Sequence, residues 1–240
     1  MNILDRILHV PKQIFLGFYG LFLRVRVFDH GKSLGAGPAI FVFNHTTGSD
    51  PIVAQIALRR RIFFMADGRH FSTAFGNFFM TRITDSIPVF KEKGARNIPS
   101  FKGMLELLRK GQAIGVFPEG ELRKRLSTIE LADGAAYLSL RSGIPLTPVY
   151  IHNIAPGPHP DSLLGRSDSW EALASIVANV FRKIELHVGD PIFPDHPHPS
   201  ARDRRAIELI NKKILSELDR LSEIARQGSF GRTNDGDRGS

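Results

Sequence analysis

Two short stretches hold most of the residues whose types and spacing could do chemistry. At 44–51 the chain reads N-H-T-T-G-S-D-P, so His45 and Asp50 form an H-x-x-x-x-D pair directly after an apolar run. Histidine titrates near neutral pH and is the natural general base there. A carboxylate beside it can hold the ring in one tautomer and stabilise the imidazolium that forms when a proton is taken. Such a pair can deprotonate a hydroxyl for attack on an activated carbonyl. The second stretch is F-P-E-G at 117–120, again after an apolar run, with Arg123, Lys124 and Arg125 close behind. Glu119 can accept hydrogen bonds from a hydroxylated substrate, and the cations can bind phosphate. A further cation, Lys91, follows the short extended segment Ile87–Phe90.

Spacing alone does not single out His45 and Asp50. The same interval recurs at His198 and Asp203, in a proline-rich loop entering the last helix. There Ser200 can cap the helix and Asp203 can favour its N-terminus, so that copy reads as structural. Asp50 followed by Pro51 is also a good helix start, although capping and catalysis need not exclude each other. Glu119 can likewise sit in a turn and pair with Arg123 or with solvent. The chain has no cysteine, so no thiol can act as nucleophile or metal ligand and no disulfide can form.

The elements that must position these residues alternate along the chain. Val25–Phe28 is β-prone, and Ala39–Phe43, Ile62–Ala66 and Ala113–Phe117 are continuous apolar runs of the kind found in buried strands. Ile87–Phe90, Pro145–Ile151 and Ile184–Val188 complete the strand set. Helical pattern covers 51–60, 97–110, 131–142, 169–182 and 201–226, with a helix or apolar cap at 70–80. At 240 residues, 42% hydrophobic and 23% charged, the chain is neither disordered throughout nor a disulfide scaffold. The expected fold is α/β, one sandwich domain with a central mixed sheet flanked by helices, plus an N-terminal membrane-associating helix. The expected division is a helical segment at 1–30, the α/β domain at 31–227 and a polar, glycine-rich disordered tail at 228–240.

Residues 14–23 (IFLGFYGLFL) carry no charge but fall short of the roughly 20 needed to span a bilayer. They suit a helix lying in the membrane interface, or one docked on the protein's own core. Pro11 breaks or starts a helix there. The net charge is +8, and residues 59–125 hold fourteen basic against six acidic residues, which accounts for that excess. An anionic partner is expected. Nucleic acid fits poorly, because there is no zinc-finger spacing, aromatic RNA-binding motif or basic helix followed by heptads.

In this order the motifs resemble the glycerolipid acyltransferase family typified by 1-acyl-glycerol-3-phosphate acyltransferase. The resemblance covers residues 38–151, through IFFMADGRHF, GNFFMTRITDSIPVFK, LLRKGQAIGVFPEG and GAAYLSLRSGIPLTPV, with support near H-V-G-D-P at 187–191. It implies an enzyme in phospholipid biosynthesis that moves a fatty acyl group from an acyl thioester, on coenzyme A or acyl carrier protein, to a hydroxyl of a lysolipid. His45 would be the general base and Asp50 its orienting partner. Transfer would be direct, with no acyl-enzyme, no metal and no organic cofactor. Lys91 and Arg123 would hold the acceptor phosphate, Glu119 and Gly120 would shape its site, and Asn44, Phe117 and Pro118 would support the motifs. The resemblance also implies a peripheral or monotopic protein at the cytoplasmic face of a membrane. Where the family usually continues Glu-Gly-Thr-Arg-Ser, this chain continues Glu119-Gly120-Glu121-Leu122-Arg123. The extra carboxylate disfavours a neighbouring phosphate, so an aminolipid or glycosylated acceptor is the alternative, with a non-catalytic lipid-binding protein as a further one.

Overall fold

Alternation of side chains along β2 (Ala39–Phe43) organises the fold. Ile40 and Val42 point to one side of the sheet and Phe41 and Phe43 to the other, and all four are buried. A strand buried on both faces needs helices on both faces. The computed structural model describes residues 3–32, 34–90, 95–119, 131–153, 168–194 and 203–234. Within them β1 (Arg24–Asp29), β2, β3 (Ile62–Asp67), β4 (Ser86–Val89), β5 (Ala113–Val116), β6 (Leu146–Asn153) and β7 (Lys183–Val188) form one sheet, in the order β1-β7-β6-β2-β5-β3-β4. From β6 to β4 all neighbours run parallel, whereas β7 is antiparallel to β6 and pairs in parallel with β1. The sheet is therefore mixed, as expected.

One face is covered by α4 (Ile98–Arg109), α5 (Gly134–Ser142) and α7 (Arg204–Asn234). Met104, Leu108, Leu138, Ile210 and Ile214 from these helices pack on Ile40, Val42, Ile114 and Leu146. On the other face, Val53 and Ala54 of α2 (Asp50–Ala57) pack among Phe41, Phe43, Phe64 and Val149. α1 (Ile3–Phe22) and α6 (Asp168–Val180) complete that side. Leu16 and Tyr19 of α1 pack with Ile52, Phe79, Ile83, Ile176 and Val180, and the Tyr19 hydroxyl donates to the Ile176 carbonyl at 2.7 Å.

Two anchors hold α1 in place. The Lys12 ammonium forms a buried ion pair with Asp85 and donates to Gln55 Oε1 at 3.1 Å. Arg61 grips the same Asp85 with two hydrogen bonds, at 3.1 and 2.8 Å. Burial pushes the Lys12 ammonium below its ordinary pKa, against the pull of Asp85. The opposite face of α1 presents Ile14, Phe15, Phe18, Leu21 and Phe22 to solvent. The helix is thus docked on the protein's own core by one face and leaves the other, apolar face exposed.

Three expectations are corrected. The helix runs through Pro11 rather than starting or breaking there. It forgoes one backbone bond at the proline, and the docking of the following turns offsets that loss. Residues 70–80 are three short pieces: a 3-10 turn at Gly68–Phe71, α3 (Ala74–Phe78) and a π turn at Phe79–Ile83. α7 continues to Asn234, past Gly228, where a disordered tail was expected to begin. A glycine costs a helix interior only about 1 kcal/mol, too little to stop one already propagating. Residues 235–240 lie outside the described residues.

Gly115 in β5 is required by contact. A Cβ there would meet the Phe64 ring at 2.4 Å and Ile62 Cγ2 at 2.9 Å. Gly115→Ala should destabilise the protein by about 1–3 kcal/mol in denaturant melts, as overpacked cores do. Stability equal to wild type would show that the ring can move aside.

Candidate active site

β2 and β5 are adjacent parallel strands, with Val42 opposite Val116. Three positions further along each chain stand His45 and Glu119, so the two motifs emerge side by side at the exit edge of the sheet. Ligands of open α/β sheets collect at this edge. Asn44 makes the turn-off possible. Its amide donates to the Ile151 carbonyl at 3.1 Å and accepts from the Ile151 N–H at 2.6 Å. A side chain thereby supplies the ladder bonds to β6 that the backbone gives up as it leaves the sheet.

Asp50 opens α2, yet its carboxylate does not cap that helix's own amides. It turns back and accepts five hydrogen bonds. Oδ2 receives the His45 Nδ1–H at 3.0 Å, the Thr46 N–H at 2.6 Å and the Thr47 N–H at 2.9 Å. Oδ1 receives the Thr46 and Thr47 hydroxyls at 3.0 and 2.7 Å. An ionised carboxylate can only accept, so its partner nitrogen on His45 carries the proton and Nε2 is left as the basic position. The chain of polar contacts continues through Thr47 to Ser49 at 3.2 Å and to Asn179 of α6, whose amide donates to Ser49 Oγ at 2.9 Å. The His45 side chain keeps 19% of its surface exposed and that of Asp50 only 3%. The imidazole is reachable from solvent and the carboxylate is sealed.

Phe117 forms the floor under the imidazole. The two rings stack with centroids 4.3 Å apart, and Phe117 in turn stacks on Phe64 at 5.6 Å and packs on Phe43 at 5.5 Å. The Pro118 carbonyl accepts from Ala132 N–H at 2.8 Å. Glu119 is buried beside His45. Burial pushes its carboxyl up from 4.5 to about 7, and the charge and backbone amide of His45 pull the other way. Near neutral pH it can thus either donate or accept.

The structure brings together His45, Asp50, Asn44, Phe117, Pro118 and Glu119. Lys91, Gly120 and Arg123 lie outside the described residues, as does Ser200. At the second H-x-x-x-x-D copy, Asp203 itself accepts from the Arg205 and Ala206 amides at 3.0 and 3.4 Å, so the carboxylate serves the start of α7. Thr46, Thr47, Ser49 and Asn179 were not singled out by the sequence. The first three sit inside the N-H-T-T-G-S-D-P run, and Asn179 has no local signal at all. Among the described residues no group of three or more His, Asp or Glu could hold a metal ion.

A family model described as Acyltransferase matches residues 24–152, more than half of the chain. The chain belongs to the acyltransferase family. The matched span holds every described member of the site except Asn179. Among solved structures, the 1-acyl-sn-glycerophosphate (LPA) acyltransferase PlsC from Thermotoga maritima is similar, with a TM-score of 0.52 and 18% identity over 87% of this chain and 81% of that one. At that identity the likeness supports the shared acyltransferase fold of a mixed sheet between helices.

The Glu119 carboxyl has a measurable signature. A carboxyl whose pKa is raised by folding binds more protons folded than unfolded, so its contribution is full below about 4.5 and is lost as pH rises through about 7. Glu119→Gln should remove that pH dependence and be the more stable protein at pH 8, by on the order of 1–3 kcal/mol. Equal pH dependence in the two proteins would show that the carboxyl is not perturbed.

Proposed function

We propose that this acyltransferase moves a fatty acyl group from an acyl thioester to a hydroxyl of a lysophospholipid at a membrane surface. The observation that carries the reading is the His45–Asp50 pair, seated on Phe117 and beside Glu119, in a chain of this family. His45 Nε2 takes the proton of the acceptor hydroxyl while that oxygen bonds to the thioester carbonyl carbon. The tetrahedral intermediate then collapses, the C–S bond breaks, and the imidazolium gives its proton to the leaving thiolate. The products are an ester and a free thiol. Asp50 keeps the Nδ1–H in place and stabilises the charge on the ring between the two transfers. No acyl-enzyme forms, in keeping with a chain that lacks cysteine.

Coenzyme A or acyl carrier protein is the donor's carrier. Glu119 and Gly120 shape the acceptor site, and Lys91 and Arg123 hold its phosphate. Glu121, where the family usually has threonine, favours a second reading of the acceptor as an aminolipid or glycolipid. Purified protein given acyl thioesters and a panel of lysolipids should acylate one of them. His45→Ala and Asp50→Asn should each lower the rate by about 10²–10⁴. Transfer to no acceptor, or full activity in His45→Ala, would refute the proposal and leave the lipid-binding alternative.

Membrane attachment rests on α1. No helix among the described residues is long and apolar enough to cross a membrane. The outer stripe of α1 nevertheless leaves Phe18 and Leu21 exposed at 62% and 81%, a cost in water that a bilayer interface removes. We propose a peripheral or monotopic protein, at the cytoplasmic face of a membrane. Replacing Phe18 and Leu21 together by glutamate should reduce co-sedimentation with anionic liposomes at least tenfold, since each large apolar side chain is worth about 1.5–3 kcal/mol on burial. Unchanged sedimentation would place the membrane contact elsewhere.

A further inference from the structure

Not all of the basic segment surrounds His45. Arg59, Arg60 and Arg61 precede β3, at the entry end of the parallel strands, whereas His45 and Glu119 follow their exit ends. The three arginines line a groove of about 710 Å³ between α1, β1 and the last turn of α2. Leu16, Leu23, Val25, Val27 and Ile56 give it apolar walls, and His45, Asp50, Phe117 and Glu119 take no part in it. Its size lies within the roughly 300–1,000 Å³ of small-molecule sites, which suits one acyl chain and its head rather than a diacyl lipid.

Four further features point to an occupant. Gln55 lines the groove, is only 4% exposed, and its amide nitrogen has no hydrogen-bond partner while its oxygen is taken by Lys12. A buried donor left in that state is costly, and an acceptor atom of a ligand would satisfy it. Arg60 is held by the Gly35 and Gly37 carbonyls, each at 2.9 Å, and Arg61 by Asp85. Arg59 is exposed and makes no side-chain hydrogen bond or ion pair among the described residues. Its backbone is left-handed, at φ 49, where a glycine would relieve the strain, so its guanidinium is kept at a cost to the fold. Finally, Gly17 of α1 leaves its edge of the groove bare, since a Cβ there would meet nothing within 4 Å, whereas a Cβ on the neighbouring Gly20 would press on Ile56 Cγ2 at 3.2 Å. That edge adjoins Ile14 and Leu21 of the exposed apolar stripe, so a lipid chain can enter from the exposed side of α1.

We propose that this groove binds a lysophospholipid, one acyl chain ending in a phosphate-bearing head, as a second lipid site apart from the catalytic one. The chain lies against the apolar walls and Gly17. The phosphate meets Arg59, with Arg60, Arg61 and Lys12 behind it and Asp85 as the acid that Arg61 and Lys12 share. The excess of cations over that single carboxylate favours a phosphate over a carboxylate head.

The test counts bound lipid on the full chain by equilibrium dialysis, below the lipid's micelle threshold, with 1-oleoyl lysophosphatidate as probe and oleate and uncharged monoolein as controls. Arg59→Gly and Gly17→Trp should each bind one equivalent fewer than wild type. Arg59→Gly should melt no lower than wild type, which separates lost binding from lost folding. The difference between proteins is readable whether or not the catalytic site also holds the lipid, so failure of acyl transfer would not be mistaken for failure here. Equal stoichiometry in wild type and Arg59→Gly would overturn the site. Oleate or monoolein filling it as well as lysophosphatidate would overturn the phosphate assignment.

Discussion

A carboxylate taken out of water survives as an anion only where donors replace the water it lost. Asp50 is such a group, and much of the active-site edge is arranged to supply its five donors. For the Thr46 and Thr47 amides to converge on it, the chain must leave β2 abruptly, and Asn44 pays the ladder bonds that this departure costs. For the carboxylate to face back toward the strand, α2 must begin at Asp50 itself. For Thr47 and Ser49 to stay in place, α6 must pack close enough for Asn179 to reach them. The fifth donor is His45, so the same arrangement that satisfies the Asp50 carboxylate also sets the tautomer of the His45 ring.

The sheet order does the rest. Because β2 and β5 are neighbours and parallel, residues 72 and 74 apart in sequence meet at one edge, His45 with Phe117 and Glu119. The environments of the two carboxylates then diverge. Asp50 has its charge matched by donors, whereas Glu119 is buried with less compensation and moves to about 7. A site with one carboxylate bound to an imidazole and another poised between its two forms has parts for both proton transfer and hydroxyl recognition.

What the sequence disclosed depended on how local each interaction is. His45 and Asp50 could be paired on paper because they lie within one turn-off, and the apolar runs announced the strands that flank them. Thr46 and Thr47 were in plain view, but nothing in a one-dimensional reading says that both their amides and hydroxyls converge on one carboxylate. Asn179 is 130 positions from Ser49 and no spacing rule could connect them. The N-terminal segment offered two readings because composition does not distinguish the face of a helix that docks from the face that does not. Charge was the most misleading signal. Counted along the chain, the basic excess falls in one segment, 59–125, but the fold sends Arg59–Arg61 to the end of the strands opposite His45 and turns Arg96 onto the Phe90 ring, 3.5 Å from its centroid.

The central claim is that Asp50 holds the proton of His45 on Nδ1 and leaves Nε2 to act as the base. Nitrogen-15 NMR of the imidazole in ¹⁵N-histidine-labelled protein, recorded across neutral pH with His45→Ala used to assign the signals, tests it without any substrate. The neutral His45 ring should show a protonated Nδ1 and an unprotonated Nε2, and Asp50→Asn should disturb that preference. A neutral ring carrying its proton on Nε2 in the wild-type protein would contradict the account.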